Sequence, residues 1–176
     1  MDLRLAGLEK LGNAAPFVAL IHSTIGHIRL FEDFDADEIA EVAGYLECYR
    51  APAGTEIIAE NEQGDFMLLV LDGTMEILRQ GPDGLPVRIG LAGPGKTLGE
   101  MSLIDGEPRF ASCISLREST FGVLDRASLS QIIADKPRLG VKLMMQLLIL
   151  VNQRLRLVSA ELVSRIGSTP QSDTLA

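Results

Sequence analysis

The chain has 176 residues, of which 47% are hydrophobic and 23% charged, and its formal net charge is −8. The length suits one domain with its own core and one appended element, and the composition is that of a globular protein. The acidic balance, with no basic cluster, argues against nucleic acid as a partner, and the uncharged run Leu143 to Gln153 falls far short of the ~20 residues that a membrane span needs.

Residues 2 to 44 are predicted to be helical, because their apolar residues recur at steps of three and four. These residues include Leu3, Leu8 and Leu11, then Phe17, Leu20, Ile21, Ile25 and Ile28. Asp35, with Glu38 three residues later, is typical of a capped helix N-terminus.

From Tyr45 to Leu124 the pattern changes to short β runs that are separated by Gly and Pro. Asp72-Gly73 and the segment Gly81 to Gly84 predict turns between strands. No segment between the runs is long enough for a crossover helix, which needs about 10 residues, so we predict a mainly antiparallel sheet. Many short strands at this spacing favour a barrel or a jelly roll.

Helical periodicity returns after Asp125, a good N-cap, and becomes strong after Pro137. Six apolar residues then follow a heptad spacing, which is typical of a seam between helices. They are Met144, Leu148, Val151, Leu155, Val158 and Leu162. A second stripe on the same helix consists of Leu143, Leu147, Leu150 and Leu157. Because one stripe can face the β region while the other faces a second chain, we predict a homodimer through this helix.

The cysteines and the N-terminal segment both bear on where in the cell the protein is expected. Cys48 and Cys113 lie far apart without a C-x-x-C pair, and we interpret them as reduced, buried thiols. The N-terminus lacks the continuous apolar centre of a signal peptide. We therefore expect a cytoplasmic protein.

The segment Gly90 to Arg109 contains two candidate phosphate-binding motifs. Its first eight residues match G-x-x-x-x-G-K-[ST], the P-loop pattern of nucleotide hydrolases. A P-loop needs a long helix directly after it, whereas Gly99 and Gly106 interrupt any such helix, and Pro94 removes one amide from the loop. We therefore interpret the P-loop match as a coincidence.

The second motif fits its surroundings better. Gly99 to Leu103 can form one helical turn whose free amides point at an anion, and Arg109 can return to the same place with a planar set of donors. A carboxylate is a poor phosphate ligand, so Glu100 is expected to accept from a sugar hydroxyl instead. Together, the turn amides, Arg109 and Glu100 predict a site for a small phosphorylated sugar.

The stretch LGEMSLIDGEPRFAS resembles the phosphate-binding cassette of cyclic-nucleotide-binding domains, as in the catabolite activator protein and the regulatory subunit of protein kinase A. The resemblance runs from about Leu30 to Arg165 and includes PAGTEII and LLVLDGTMEI, with Gly54 and Gly73 at turns. It implies a mainly β fold with flanking α elements: an antiparallel, jelly-roll-like β-roll (a double-stranded β-helix), N-terminal helices and a long C-terminal dimerisation helix. The implied divisions are a helical extension at 1–30, the roll at 31–136, the long helix at 137–166 and a disordered tail at 167–176.

The resemblance also implies the roles of the site residues. In the family, the residue that matches Glu100 holds the ribose 2′-hydroxyl, the one that matches Arg109 pairs with the cyclic phosphate, and two turn amides close around that phosphate. The implied ligand-binding set is Gly99, Glu100, Met101, Ser102, Arg109, Phe110 and Ala111. Cyclic AMP or cyclic GMP is the implied ligand, with no metal and no other cofactor.

Phe110 departs from the family pattern, which has a small residue after Pro-Arg. Loss of one hydrogen bond to a charged group costs roughly 1.5–3 kcal/mol, or about 10- to 150-fold in affinity. A ring inside the ligand's own space abolishes binding, whereas a ring that points outward can stack on a ligand's base.

We predict a non-catalytic regulatory module that signals to another protein through its C-terminal helix. One alternative is a ligandless dimeric scaffold, in which Glu100 and Arg109 form a structural ion pair and Phe110 blocks the pocket. Another is a small-molecule enzyme on the same scaffold, which needs a metal or a base, yet the only histidines are His22 and His27 near the N-terminus. Few residues follow the long helix, so we expect no DNA-reading unit.

Overall fold

A computed structural model describes residues 3–24 and 28–167 of the chain. The strands are β1 (Glu9–Asn13), β2 (Glu47–Ala51), β3 (Glu56–Ile58), β4 (Phe66–Asp72), β5 (Met75–Gln80), β6 (Pro86–Ala92), β7 (Thr97–Leu98), β8 (Ser112–Ser115) and β9 (Ser119–Asp125). The α-helices are α1 (Leu3–Ala6), α2 (Val18–Thr24), α3 (Ala36–Tyr45), α4 (Glu100–Asp105), α5 (Arg126–Asp135) and α6 (Pro137–Gly167). A 3₁₀ turn, Arg29–Phe31, precedes α3.

The strands form two antiparallel sheets. One has the order β1-β2-β9-β4-β7 and the other the order β3-β8-β5-β6. Apolar residues from both sheets, such as Leu68 and Phe121 from the first and Met75 and Cys113 from the second, belong to one buried cluster. The predicted antiparallel roll is therefore confirmed, whereas the two sheets do not close into a single barrel.

The N-terminal region is not wholly helical, and this part of the prediction is wrong. β1 pairs with β2 in antiparallel register, and Lys10 Nζ lies 2.6 Å from Glu47 Oε1 across the pair. Gly12, at φ +91°, lies where the register shifts. The spacing of Leu8 and Leu11 also suits a helix, but the hydrogen bonds available along β2 prevail over local propensity.

Helix caps and turns follow the sequence closely. The Asp35 side chain accepts from Glu38 N, and the Glu38 side chain accepts from Asp35 N, which completes the predicted capping box. Asp125 caps α5 by accepting from Ser128 N at 2.7 Å. These interactions are local, so short-range sequence patterns predict them well.

The long C-terminal helix α6 has 31 residues and presents two different faces. Leu143, Leu147 and Leu150 are buried in a second core cluster between the helices and the larger sheet, as predicted for one stripe. Leu157 of the same stripe is 66% exposed, because residues 154–166 are all exposed beyond this cluster. Within the predicted dimer stripe, Met144 and Val151 are half-buried, and Leu148, Leu155, Val158 and Leu162 are exposed.

Cys48 and Cys113 are buried and form no disulfide. Burial raises the pKa of the Cys48 thiol to about 11 and that of Cys113 to about 12. None of the helices within the described ranges is long and apolar enough to cross a membrane. The His22 side chain, the whole of His27 and the tail from residue 168 lie outside the described residues.

Candidate functional site

The cassette is built around a left-handed glycine between a strand and a short helix. Gly99 has φ +83°, a conformation that other residues rarely adopt, and it turns the chain from β7 into α4. The first hydrogen bond of α4 runs from Leu103 N to Gly99 O, so the amides of Glu100, Met101 and Ser102 precede it. Such amides at a helix start favour an anion.

This geometry is incompatible with a P-loop. β7 runs antiparallel to β4, and α4 contains only six residues. A P-loop instead joins a parallel strand to a long helix whose dipole faces the phosphates. The match between Gly90 and Thr97 is therefore a coincidence, as expected from the sequence.

Arg109 is buried against backbone in a space that glycine provides. Its Nη1 donates to Phe66 O at 2.6 Å and to Gly99 O at 3.2 Å. The guanidinium carbon lies 4.2 Å from the centre of the Phe66 ring. A Cβ added at Gly64 would lie 2.4 Å from Arg109 Nε, so the guanidinium in its present position requires glycine there. The arginine is thus held in a fixed orientation beside the turn that begins α4.

Glu100 is paired with a residue that sequence reasoning did not identify. Glu100 is buried, and its Oε2 accepts from Arg154 Nη1 of α6 at 2.8 Å. Arg154 Nη2 also donates to Thr97 O at 2.6 Å. A pattern that would have found Arg154 does exist: it lies four residues after Leu150 and so continues the stripe that faces the core.

The second carboxylate oxygen of Glu100 is buried and has no hydrogen-bond partner among the described residues. A buried acceptor of this kind is rare in folded proteins and costs free energy unless a donor reaches it. A hydroxyl donor on a ligand would satisfy it.

Phe110 is not buried in the cassette. Its side chain is 50% exposed, and the guanidinium carbon of Arg79 lies 3.8 Å from the centre of its ring. The ring is therefore stacked under a cation at the surface. Its neighbour Ala111 is 9% exposed and leads directly into β8.

The predicted site residues thus divide into two groups. Gly99, Glu100 and Arg109 come together at the start of α4, and Ser102 is buried beside them at 2% exposure. Met101 is 49% exposed, so its side chain does not line the same buried place. The role predicted for Met101 and Ser102 belongs to their backbone amides, which does not require a buried side chain.

The antiparallel roll, the glycine-led turn and the buried glutamate and arginine define a class of regulatory domain. Residues 49–136 match the sequence profile of the cyclic nucleotide-binding domain, and the chain belongs to this family.

Its relatives are regulators. The chain is 31% identical over 137 residues to the CRP-like cAMP-activated global transcriptional regulator of Mycobacterium tuberculosis, a match that covers 78% of this chain and 59% of the regulator. It is 26% identical over 130 residues to the cAMP-dependent protein kinase regulatory subunit of Yarrowia lipolytica, which covers 74% of this chain and 33% of the subunit. The chain therefore corresponds to only part of these two relatives.

The same fold is found in a solved structure of similar length. A cyclic nucleotide-binding domain from Methylobacillus flagellatus KT superimposes with a TM-score of 0.81 at 33% identity. That match covers 99% of this chain and 96% of the solved one, so the similarity extends over nearly the full length of both.

Proposed function

We propose that this chain is a regulatory domain that binds a cyclic nucleotide, or a related anionic ligand, at Glu100 and Arg109. The observation that carries the proposal is the partnerless Oε1 of Glu100, a buried acceptor beside the start of α4. Arg109 supplies a fixed positive charge at the same turn, through its hydrogen bond to Gly99 O. An acceptor for a hydroxyl next to donors for a phosphate is the arrangement that a phosphorylated sugar needs.

Each residue has a distinct task in this proposal. The amides of Met101 and Ser102 and the Arg109 guanidinium bind the phosphate, and Glu100 Oε1 accepts from a ribose hydroxyl. The site carries out no bond-making step, so the chain is proposed to be non-catalytic. Among the described residues, no group of three or more His, Cys, Asp or Glu side chains could hold a metal ion.

Arg154 is proposed to couple the site to α6. It binds Glu100 Oε2 from that helix, so a hydroxyl that donates to Glu100 Oε1 competes with Arg154 for the electron density of the same carboxylate. A ligand moves a helix only if it binds one helix position better than the other. A shift from 1:99 to 99:1 requires about 5.5 kcal/mol of such preference. The output is proposed to be an altered α6 surface that an effector protein recognises.

We also propose that α6 forms a homodimer in the cytoplasm. Its exposed apolar residues lie at heptad spacing, which suits a helix–helix seam. The buried, reduced cysteines suit a reducing compartment.

The test is a calorimetric titration of the purified protein with cyclic AMP and with cyclic GMP, beside Arg109→Lys and Phe110→Ala. We expect the natural protein to bind at least one of them, and Arg109→Lys to bind about 10- to 150-fold more weakly, because the planar donor set is lost. Phe110→Ala should change the affinity by less than about tenfold, because the ring is half exposed. Binding by Phe110→Ala alone would support a blocked pocket, and binding by none of the proteins would support a ligandless scaffold.

A further inference from the structure

A cavity lies beside Arg154 among residues other than those of the cassette. It has a volume of about 180 Å³. It lies between the 3₁₀ turn before α3, the turn before β7, and α6, and its walls are Arg29, Leu30, Gly95, Lys96, Thr97, Leu150, Gln153, Arg154 and Leu157. Gly99, Glu100 and Arg109 do not contribute to it, so it is distinct from the site described above. At about 30 Å³ per water molecule, it has room for a compact ligand of about six water volumes.

The walls of this cavity carry three positive charges and no carboxylate. Arg29 Nη1 donates to Gln153 Oε1 at 2.7 Å. Because the side chain of Gln153 is a neutral amide, this bond does not offset the charge of Arg29. Lys96 makes no side-chain hydrogen bond or ion pair with any residue in the described ranges. Arg154 is already paired with Glu100, whereas Arg29 and Lys96 have no carboxylate partner among the described residues. Two like charges at one cavity repel each other, and an anion between them offsets that repulsion.

The backbone holds Lys96 firmly at the cavity. Gly95 N donates to Val70 O, and Val70 N donates to Lys96 O, both at 2.9 Å. These bonds tie the turn before β7 to β4. Lys96 and Thr97, which belong to the coincidental P-loop match, thus line this cavity rather than a loop before a long helix.

We propose that this cavity binds a phosphate group, either as inorganic phosphate or as a small phosphate monoester. Two arginines and a lysine suit a compact oxyanion with two negative charges, since guanidinium groups bind phosphate oxygens in pairs. Leu150 and Leu157 give the cavity an apolar wall that would contact the ester group. The proposal does not depend on cyclic-nucleotide binding at Glu100.

Arg154 links the two sites. Its guanidinium binds Glu100 Oε2 and Thr97 O, and it also lines the cavity. A phosphate at the cavity therefore competes with Glu100 for Arg154. Phosphate and any ligand that depends on the Glu100–Arg154 pair must then change each other's affinity by the same factor.

The first test is a calorimetric titration with inorganic phosphate, and separately with glycerol 3-phosphate, at constant ionic strength set by chloride. We expect phosphate-specific binding by the natural protein, and about tenfold weaker binding by Lys96→Gln and by Arg29→Gln. Arg156→Gln carries the same change of charge at an exposed position of α6 that does not line the cavity, and it should bind within about twofold of the natural protein. No binding above the chloride background, or equal binding by Lys96→Gln, would overturn the proposal.

Two further variants locate the phosphate. Arg109→Gln removes the cassette cation and should bind phosphate as the natural protein does; if it alone loses binding, the ion lies in the cassette and the proposal is wrong. Glu100→Gln releases Arg154 from its carboxylate and should bind phosphate a few-fold more tightly. An unchanged or weaker affinity in Glu100→Gln would overturn the coupling through Arg154. Because Glu100→Gln is expected to lose cyclic nucleotides and to keep phosphate, failures of the two proposals are distinguishable.

Discussion

Arg154 and Glu100 form an ion pair between residues 54 positions apart in the chain, and only one partner is buried. The glutamate side chain is 2% exposed and the arginine side chain is 46% exposed. Removal of the arginine charge leaves a carboxylate in a buried place with its main partner gone, which is costly. Solvent around the arginine moderates that cost.

We therefore expect Arg154→Gln to lower the free energy of unfolding by about 1–3 kcal/mol. Urea denaturation followed by circular dichroism measures it, with Arg156→Gln as the matched control on the same helix. The control should stay within about 0.5 kcal/mol of the natural protein. Equal free energies for the two variants would show that the pair contributes nothing to stability.

Gly64 tests whether the Arg109 orientation matters for binding. Gly64→Ala places a methyl group 2.4 Å from the present Nε position, so the guanidinium must shift from its present place beside the Phe66 carbonyl. We expect the affinity for a cyclic nucleotide to fall by about tenfold or more, as a calorimetric titration would measure. Gly93→Ala is the control, because a Cβ there meets nothing within 4 Å. If both variants bind alike, the fixed orientation of Arg109 is irrelevant to the ligand.

The sequence predicts Gly99, Glu100 and Arg109 because all three belong to one short motif. The spacing of α6 places Arg154 on the core-facing stripe, but no local pattern records that its partner is Glu100, 54 residues earlier in the chain. The Phe110 ring likewise lies under Arg79 of β5, a contact between distant residues that the chain order does not reveal.

At the scale of elements, the difference between α3 and β1 shows where sequence patterns fail. The start of α3 is encoded within four residues, from Asp35 to Glu38, and the prediction is confirmed. β1 exists only because β2 offers an edge to pair with, so its apolar spacing alone misleads. Local signals predict helix ends, and strand pairing requires partners that lie far along the chain.

The dimer prediction also belongs to the element scale. Leu155 is 62% exposed within the predicted seam, so Leu155→Asp should place a charge in the helix interface and dissociate the dimer. Sedimentation velocity would then show a shift from dimer to monomer at micromolar concentration. Ala160→Asp, on the far side of the helix from the seam, should leave the dimer intact. A natural protein that sediments as a monomer would contradict the prediction.

At the scale of the whole molecule, the thiols make stability depend on alkaline pH. The folded state keeps Cys48 and Cys113 protonated up to pKa values of about 11 and about 12. Unfolded cysteine has a pKa of about 8.5, so above that pH the unfolded chain binds fewer protons than the folded one. The thiols' contribution to the free energy of unfolding is therefore fully present below about pH 8.5. It is lost as the pH rises towards the pKa values of the folded state.

Between its unfolded and folded pKa values, each thiol should lower the free energy of unfolding by about 1.4 kcal/mol per pH unit. Urea denaturation at several pH values from 8 to 10.5 measures it, and the Cys48→Ala/Cys113→Ala double variant is the comparison. In the double variant, the free energy of unfolding should fall much less over this pH range. Parallel curves for the two proteins would mean that other groups govern the alkaline limit.

The antiparallel arrangement of the strands could be predicted from the sequence, whereas their division into two sheets that do not close into one barrel could not. Short strands without room for crossover helices fix an antiparallel arrangement, and the two sheets confirm it. Whether such strands close into one barrel depends on which edges meet, and here β7 and β6 end as separate edges of the two sheets.

The two protected thiols also make the protein convenient for spectroscopy. Thiolates attack maleimide reagents, and neither native cysteine exposes a thiolate at neutral pH. A single cysteine introduced on the exposed face of α6, as in Ala160→Cys, would therefore take up a spin label or a fluorophore alone. Distances between labels in a dimer could then follow the helix as ligand is added, without first removing the native cysteines.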